Sequence, residues 1–435
     1  TMENRQKNYG SVHDTKASMM YNRFLKQYNE WLSGGPIPDP GNQDTKYFLG
    51  QQRKRLEKRG LHRDSSIELR GLLASAGAIP PKVGKKYTNV TEFRTAQRNT
   101  TYSRGGRIIG KFRKKEILYQ TITFANEATV DGTEPCTCPS CGAVSQIKAL
   151  FEGCPYCHTR FLMQDLYPKV ANFYSIEDLS YSTEEIKRTL TPWCGGGAVI
   201  FTVFMLAYLA WERAKTGDPL TLYSMICPLI GCPVIGAFGG YMLFALKTLG
   251  YIFLRAMQSL GLLFATSGSK NRLIRFMKNY EPDFGYENFA NQVIALAKNI
   301  IFSEPGEDLS IIRGPWDRES FQNITDIVYR GAMSVGNCWQ EGPYVYADID
   351  LYFCDTYDRG SSMKEKNDRI RMIVGKNIQI PQDPGYSIHQ VSCESCGASF
   401  DAMKIRHCPY CKREYDMRDH AWTVMKIRKT GGKPS

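Results

Sequence analysis

Eight cysteines in this chain stand where a tetrahedral metal ion would need them. Cys138 and Cys141, in CPSCG, are followed by Cys154 and Cys157, in CPYC. Cys393 and Cys396, in CESCG, are followed by Cys408 and Cys411, again in CPYC. Each set is two CxxC turns about a dozen residues apart, the spacing of a Zn(II) ribbon in which each turn supplies two thiolates. Four thiolates fill the coordination shell and leave no open position for water or substrate. The predicted chemistry is therefore structural, with two Zn(II) ions per chain. Disulfides are one competing reading; thiol exchange at either CPYC is another, and metal ligation would consume its thiols. His158 and His407 lie beside ligands and could replace one, but four cysteines already suffice.

The two sets agree in detail. Cys141-Gly142-Ala143 matches Cys396-Gly397-Ala398, and Cys154-Pro155-Tyr156-Cys157 matches Cys408-Pro409-Tyr410-Cys411. Glycine after the second cysteine permits the left-handed turn that aims backbone N–H groups at sulfur. Phe161 and Tyr415 follow at similar distances and can cover modules too small for a core of their own.

No catalytic motif accompanies the cysteines: the sequence contains no HExxH, phosphate loop or GxSxG. Asp348, Asp350, Asp355 and Asp358 gather near one strand end, where a pocket carboxylate would make an enzyme of the carboxy-terminal domain. Surface placement accounts for them equally well.

The net charge of +13 is carried by residues 1–130, which hold 24 Lys and Arg against 11 Asp and Glu. Arg53-Lys54-Arg55 with Lys58 and Arg59 is the densest cluster. Lys85-Lys86 and Lys111, Arg113, Lys114 and Lys115 follow. Such runs suit nucleic acid or anionic lipid, the latter attracting each nearby base by about 1 kcal/mol. Cys194–Trp211 is an uncharged run of 18 residues, and a second uncharged run covers Pro219–Leu246. About 20 apolar residues cross a hydrocarbon core of about 30 Å, so the two runs read as a transmembrane hairpin. Two buried core helices are the alternative. Gly231, Pro233, Gly236, Gly239 and Gly240 in the second run suggest close helix contact or a kink. Beside a membrane anchor the basic face favours an anionic-lipid partner over nucleic acid. Lys187 and Arg188 precede the first run; Lys247, Arg255, Lys270, Arg272, Arg275 and Lys278 follow the second. The positive-inside rule then puts both ends and both ribbons in the cytoplasm, the reducing side that thiolate sites require. No secretory signal peptide opens the sequence.

The positioning elements follow from periodicity. Met20, Phe24, Tyr28 and Trp31 form one helical stripe, and Phe289, Val293, Leu296 and Ile300 another. Ile117–Phe124 reads as a strand. Lys114–Phe124 and Val170–Ile176 could flank the first ribbon as strands, making residues 1–180 a divergent copy of the carboxy-terminal arrangement. Asp308-Leu309 opens a second short helical region and Phe321–Val335 a third. Tyr344–Tyr357, Arg369–Ile380, Tyr386–Val391 and Ala421–Arg428 read as successive strands, with the second ribbon between the last two. The fold class is α+β: a cone-shaped carboxy-terminal domain whose curved antiparallel sheet wraps one helix, two four-cysteine zinc ribbons and a transmembrane helical hairpin.

The carboxy-terminal region resembles the Tim-forty-four-like family. The resemblance rests on Asp283-Phe284 with Phe289, Asp308-Leu309, the aspartate-bearing strand Tyr344–Asp355 and the closing run Trp422–Ile427. It implies a fold similar to nuclear transport factor two, with a pocket for an apolar tail or partner segment. Bacterial members combine such a domain with membrane spans and zinc ribbons, which implies a multi-pass protein of the bacterial cell membrane. The organisation expected is a basic cytoplasmic α+β region (1–130), the first ribbon with its flanking strand (131–180), a two-span hairpin with an interfacial helix (191–265), and the Tim-forty-four-like domain (280–430) with the second ribbon inserted at 391–415. The function expected is that of a membrane-anchored scaffold holding an unknown protein partner or lipid at the cytoplasmic face. An enzyme using the cone cavity and a nucleic-acid-binding membrane protein are the alternatives.

Overall fold

A computed structural model describes residues 2–39, 43–70, 76–84, 87–126, 135–138, 141–150, 153–159, 161–163, 168–178, 183–217, 222–307, 309–379, 388–390, 393, 395–396, 398, 405–419 and 421–430. The chain forms two compact units, one of Thr1–Asp178 with Ala265–Ser435, the other of Leu179–Phe264.

In the larger unit, α1 (Met2–Leu32) and α2 (Gln43–Lys58) lead into β1 (Leu61–Leu69), β2 (Ala76–Val83), β3 (Tyr87–Arg104) and β4 (Arg107–Ala125). The first cysteine set follows, with β5 (Pro135–Thr137), β6 (Val144–Gln146) and α3 (Ile147–Leu150). After it come β7 (Phe161–Met163) and β8 (Lys169–Glu177). The sheet order is β1-β3-β4-β8, with β2 extending the β1 edge along β3. β8 returns across the ribbon to pair with β4, placing Ile176 opposite Ile117.

The smaller unit contains α4 (Thr183–Thr216) and the start of α5 (Leu222–Lys278). Segments Ile186–Thr216 and Leu229–Gly250 are long and apolar enough to cross a membrane. Val199, Ile200, Phe204, Val234, Ile235 and Leu246 are each more than half exposed, so these helices are not the core of a soluble domain. They cross at glycines: a Cβ on Gly240 would lie 2.0 Å from the Trp193 carbonyl oxygen, and one on Gly236 2.4 Å from that of Gly197. Small residues four apart let backbones approach where lipid gives no hydrophobic drive. Gly231 and Gly239 have open space instead.

The carboxy-terminal part of the larger unit comprises α6 (Tyr286–Phe302), α7 (Glu319–Gln322), β9 (Ile324–Glu341), β10 (Tyr344–Asp358), β11 (Met363–Asn377), β12 (Ile388–Gln390) and β13 (Thr423–Thr430). The order β9-β10-β11-β13 repeats the meander of the first sheet, and the second cysteine set again lies between two strands that pair, β11 and β13. β10 alternates buried and half-buried residues, with Val345, Ala347, Ile349, Leu351 and Phe353 turned inward.

Four expectations are corrected. The sheet does not form a cone; it ends in open edges at β9 and β13. The helix such a cone would enclose, α6, is shared with the amino-terminal half, packing on α2 and β8 as well as β9. Phe48 of α2 meets Phe302 of α6 edge to face at 5.2 Å. A sheet with its helix already packed between two halves has no free helix to wrap. Phe321–Val335 is not a helix: apart from the single turn of α7 it is β9, paired with β10 through three register shifts. Leu309–Ile312 is a turn that bridges Val424, and Asp308 lies outside the described residues. Of Tyr386–Val391, residues 388–390 form β12, which pairs with β7 after the first ribbon rather than joining the four-stranded sheet.

One apolar core runs through both halves of the larger unit. Tyr21, Phe24 and Trp31 of α1, Leu49 of α2, Ile122 of β4, Val293 and Ile300 of α6, and Ile349 of β10 are all buried in it. At about 25 cal/mol per Å² of apolar surface removed from water, that burial is the main source of stability.

Candidate metal centres

The four sulfurs of Cys138, Cys141, Cys154 and Cys157 all lie within 4.8 Å of one another, as do those of Cys393, Cys396, Cys408 and Cys411. Cys138 Sγ is 3.8 Å from Cys157 Sγ, and Cys141 Sγ 3.7 Å from Cys154 Sγ. In the second set, Cys393–Cys411 measures 3.3 Å and Cys396–Cys408 3.6 Å. A Zn–S bond of about 2.3 Å demands S···S edges of about 3.8 Å, so both sets fit a tetrahedral ion. They do not fit disulfides, whose sulfurs lie about 2.05 Å apart; all eight thiols are free.

The knuckles are built to hold thiolates. Cys138 N–H donates to the Ala143 carbonyl (2.8 Å) and Gly142 N–H to the Cys138 carbonyl (2.9 Å), closing a turn in which Gly142 has φ +75°. Cys393 N–H donates to the Ala398 carbonyl at 2.9 Å in the same way. At the second knuckle of each ribbon the left-handed position falls to non-glycine residues, His158 at φ 58° and Lys412 at φ 64°. Backbone N–H groups of Cys396 and Ser395 point at Cys393 Sγ and pull its thiol down to about 6. The Thr159 hydroxyl, 3.2 Å from Cys157 Sγ, and its backbone N–H do the same for Cys157, again to about 6. Neither His158 nor His407 joins a sulfur set. Leu150 packs against Cys138 and Cys154 in the first module, and Met417 and Tyr415 against Cys393 and Cys408 in the second. The side chain of Phe161 lies outside the described residues. The second ribbon is fastened to its sheet by Arg313, which pairs with Glu414 at 3.0 Å and with Asp416, and by Asn377, which donates to Asp419 at 2.8 Å.

The aspartates of β10 do not converge on one site. Asp348 pairs with Arg371, and Asp350 lies 3.7 Å from Arg369. Burial pushes the Asp358 carboxyl up, but the Gly360 N–H and the guanidinium groups of Arg59 and Arg104 outweigh it and hold it below the usual range. Asp355 is the most deeply buried of the four. It is fully buried with Asp368, Tyr357 hydroxyl contacts both carboxylates, and Lys429 stands 3.4 Å from Asp368. Burial and then the neighbouring Asp368 push Asp355 well above the ordinary carboxylate range. The cone cavity that an enzyme reading needs is not formed. Two small cavities lie elsewhere, one beside Asp326 and one beside Lys298.

The 53–59 cluster turns largely inward. Arg55 donates to the carbonyls of Ile301 (2.6 Å), Ile324 (3.1 Å) and Phe321 (3.2 Å), and its guanidinium lies 4.5 Å over the Phe302 ring. Burial lowers its pKa to about 10. Arg59 binds Asp358 and the Gln322 carbonyl; Arg53 binds the Gly35 carbonyl and covers Trp31. Lys54 and Lys58 are exposed, the latter paired with Glu304. Along β4, Lys111 and Arg113 are exposed, while Lys114 pairs with Glu365 at 2.7 Å.

Sequence reasoning missed Arg55 as an internal clamp, because its four charged neighbours made it read as surface. It also missed Asp368 and Lys298. Both were discernible: Asp368 occupies the inward parity of β11 ahead of Ile370, Met372 and Val374, and Lys298 directly follows the apolar run 293–297 of α6.

No family model, no curated protein and no solved structure matches this chain. With the sheets open and no family model matching, the Tim-forty-four-like resemblance and its nuclear-transport-factor-two-like fold are set aside.

Proposed function

We propose that this chain is a membrane-anchored scaffold whose larger unit holds a protein partner or anionic lipid at the cytoplasmic face. The observation that carries it is the pair of long, apolar, largely unburied helices, Ile186–Thr216 and Leu229–Gly250. Lys187 and Arg188 on one flank and Lys247 on the other give the hairpin an orientation with both ends cytoplasmic. Trp193 and Lys247 meet at one end, the ammonium 5.1 Å over the ring, and Trp211 and Lys215 at the other, at 3.9 Å. Amphipathic rings with cations at span ends suit the headgroup layer. The two sulfur tetrads hold Zn(II), favoured by four thiolates in tetrahedral array. They act as staples for the inserted modules. Exposed Arg272, Arg275 and Lys278 supply cations for anionic lipid.

Membrane fractionation with alkaline extraction tests the anchor; recovery in the soluble fraction would refute it. Flotation with anionic against zwitterionic vesicles and affinity purification in detergent test the scaffold. Retention of neither lipid nor protein would overturn that reading while leaving the anchor standing. Elemental analysis should find close to two zinc ions per chain. Cys138→Ser or Cys408→Ser should each remove one.

A further inference from the structure

We propose that the paired tips of the β3–β4 and β10–β11 hairpins form a docking surface for an anionic phospholipid bilayer. The β3–β4 turn is the two-residue loop Gly105-Gly106, with φ +55° and +80°, the positive pair that a type I′ hairpin requires. Arg104 and Arg107 face each other across it. In the β10–β11 turn the Arg359 N–H donates to the Ser362 carbonyl at 2.9 Å. The two tips are locked side by side. Arg104 donates to the Gly360 carbonyl and, at 2.6 Å, to Asp358, which also binds Arg59 at 3.0 Å. A Cβ on Gly110 would lie 2.6 Å from that of Met363, so β4 and β11 touch where the tips begin. Leu56, Leu61, Tyr102 and Met363 form a small buried cluster between them.

This surface holds more cation than its acids can match. Arg59, Arg104, Arg107, Lys111, Arg359 and Lys364 gather on the two tips and their strands, against the buried carboxylate of Asp358. Lys114 and Glu365 cancel one another at 2.7 Å, and Glu57 and Asp64 lie exposed on the flanking α2 and β1. Arg107, Lys111, Arg359 and Lys364 are exposed, and their side chains have no hydrogen-bond or ion-pair partner among the described residues. Like charges directly opposite each other destabilise a hairpin, and Asp358 relieves Arg104 but not Arg107.

Beside Arg107, Ile108 is 60% exposed. An apolar tip ringed by bases suits a bilayer, where cations meet lipid phosphates and the side chain reaches the acyl boundary. Single-stranded nucleic acid would instead need exposed rings on which bases stack. The rings at hand are turned in: Tyr102 is buried, and Phe112 meets it edge to face at 6.1 Å. A bilayer is the surface this chain would live beside, given its two apolar helices, so the docking rests on the membrane-anchored reading above.

The test places the full chain in phosphatidylcholine nanodiscs and measures co-flotation with phosphatidylcholine vesicles that contain none or ~30 mol% phosphatidylglycerol. Wild type should float with the anionic vesicles and not with the neutral ones. Each base near such a surface contributes about 1 kcal/mol, or ~5-fold in partition, so Arg107→Gln with Lys364→Gln should weaken it ~25-fold. Ile108→Asp, which puts an acid on the apolar tip, should weaken it at least ~5-fold. All three side chains are exposed, so the unfolding midpoint should not move. Flotation undiminished in the double variant or in Ile108→Asp would overturn this surface; if Arg272→Gln with Arg275→Gln loses it instead, anionic lipid remains the partner through α5. Displacement of wild type from the vesicles by poly(U) at equal phosphate would give the surface to nucleic acid and overturn the proposal. No flotation of wild type, or equal flotation with both vesicles, would remove anionic lipid from the scaffold reading as well, and leave the anchor standing.

Discussion

Replacing Arg55 by alanine separates an internal clamp from a lipid-facing charge. The guanidinium gathers carbonyls from α6 (Ile301) and from the α7–β9 junction (Phe321, Ile324) onto α2, so one side chain joins both halves of the larger unit. Hydrogen bonds to a charged group contribute roughly 1.5–3 kcal/mol each, and a desolvated cation–π contact about 1–2 kcal/mol. The three bonds share one guanidinium and are not additive, and its desolvation offsets part of their sum. Removal also strips a donor from carbonyls near the ends of α6 and α7. The expected net loss is about 3 kcal/mol for Arg55→Ala. Arg55→Lys should lose about half of that, because a point ammonium cannot span several carbonyls. Lys54→Ala, one residue away and exposed, should stay within about 0.5 kcal/mol. Denaturant unfolding in detergent, with hydrogen exchange across Phe321–Thr325, measures both the loss and its location. If Arg55→Ala unfolds like wild type while losing affinity for anionic vesicles, the clamp reading is wrong and the cluster faces lipid.

Two further outcomes follow from particular contacts. The Asp355 carboxyl is raised in the folded state, so its contribution is complete below the unfolded value of about 3.9 and is lost as pH rises through the folded pKa. Stability should fall as pH climbs past the ordinary carboxylate range, by up to about 1.4 kcal/mol per pH unit, and Asp355→Asn should flatten that slope; identical slopes for the two proteins would contradict the raised Asp355 carboxyl. Gly240→Leu should destabilise the α4–α5 crossing by about 2 kcal/mol or more, since its Cβ meets the Trp193 carbonyl at 2.0 Å, whereas Gly239→Leu has open space; an SDS titration in mixed micelles compares them, and equal midpoints would rule the crossing out.

How far the fold was readable depended on how local its causes are. Thiolate ligation needs only neighbours in sequence, so both tetrads were legible from spacing, and the stripe Phe24, Tyr28 and Trp31 was legible because helix periodicity is local too. β9 was not. Its buried apolar residues Ile324, Ile327, Tyr329, Ala332, Met333 and Val335 recur at steps of three, two, three, one and two, which breaks the alternation of a strand. The irregularities come from pairing: β9 has one extra residue against Ala347–Ile349 and two against Leu351–Phe353, and these insertions interrupt the period of two. The cone failed for a related reason. Helix followed by strands is common to sheets that wrap a helix and sheets that share one. The choice was made 254 residues upstream of Phe302, where Phe48 of α2 claims that end of α6. Arg55 follows from that same contact: charge composition counts its cation as surface, whereas the helix end it binds exposes carbonyls that only a neighbouring half can satisfy. The long-range pairing of halves thus sets the sheet's shape and the inward turn of the basic cluster together. A variant that parts α2 from α6, such as Phe48→Ala, should loosen the Arg55 contacts and the Lys298 cavity in one step.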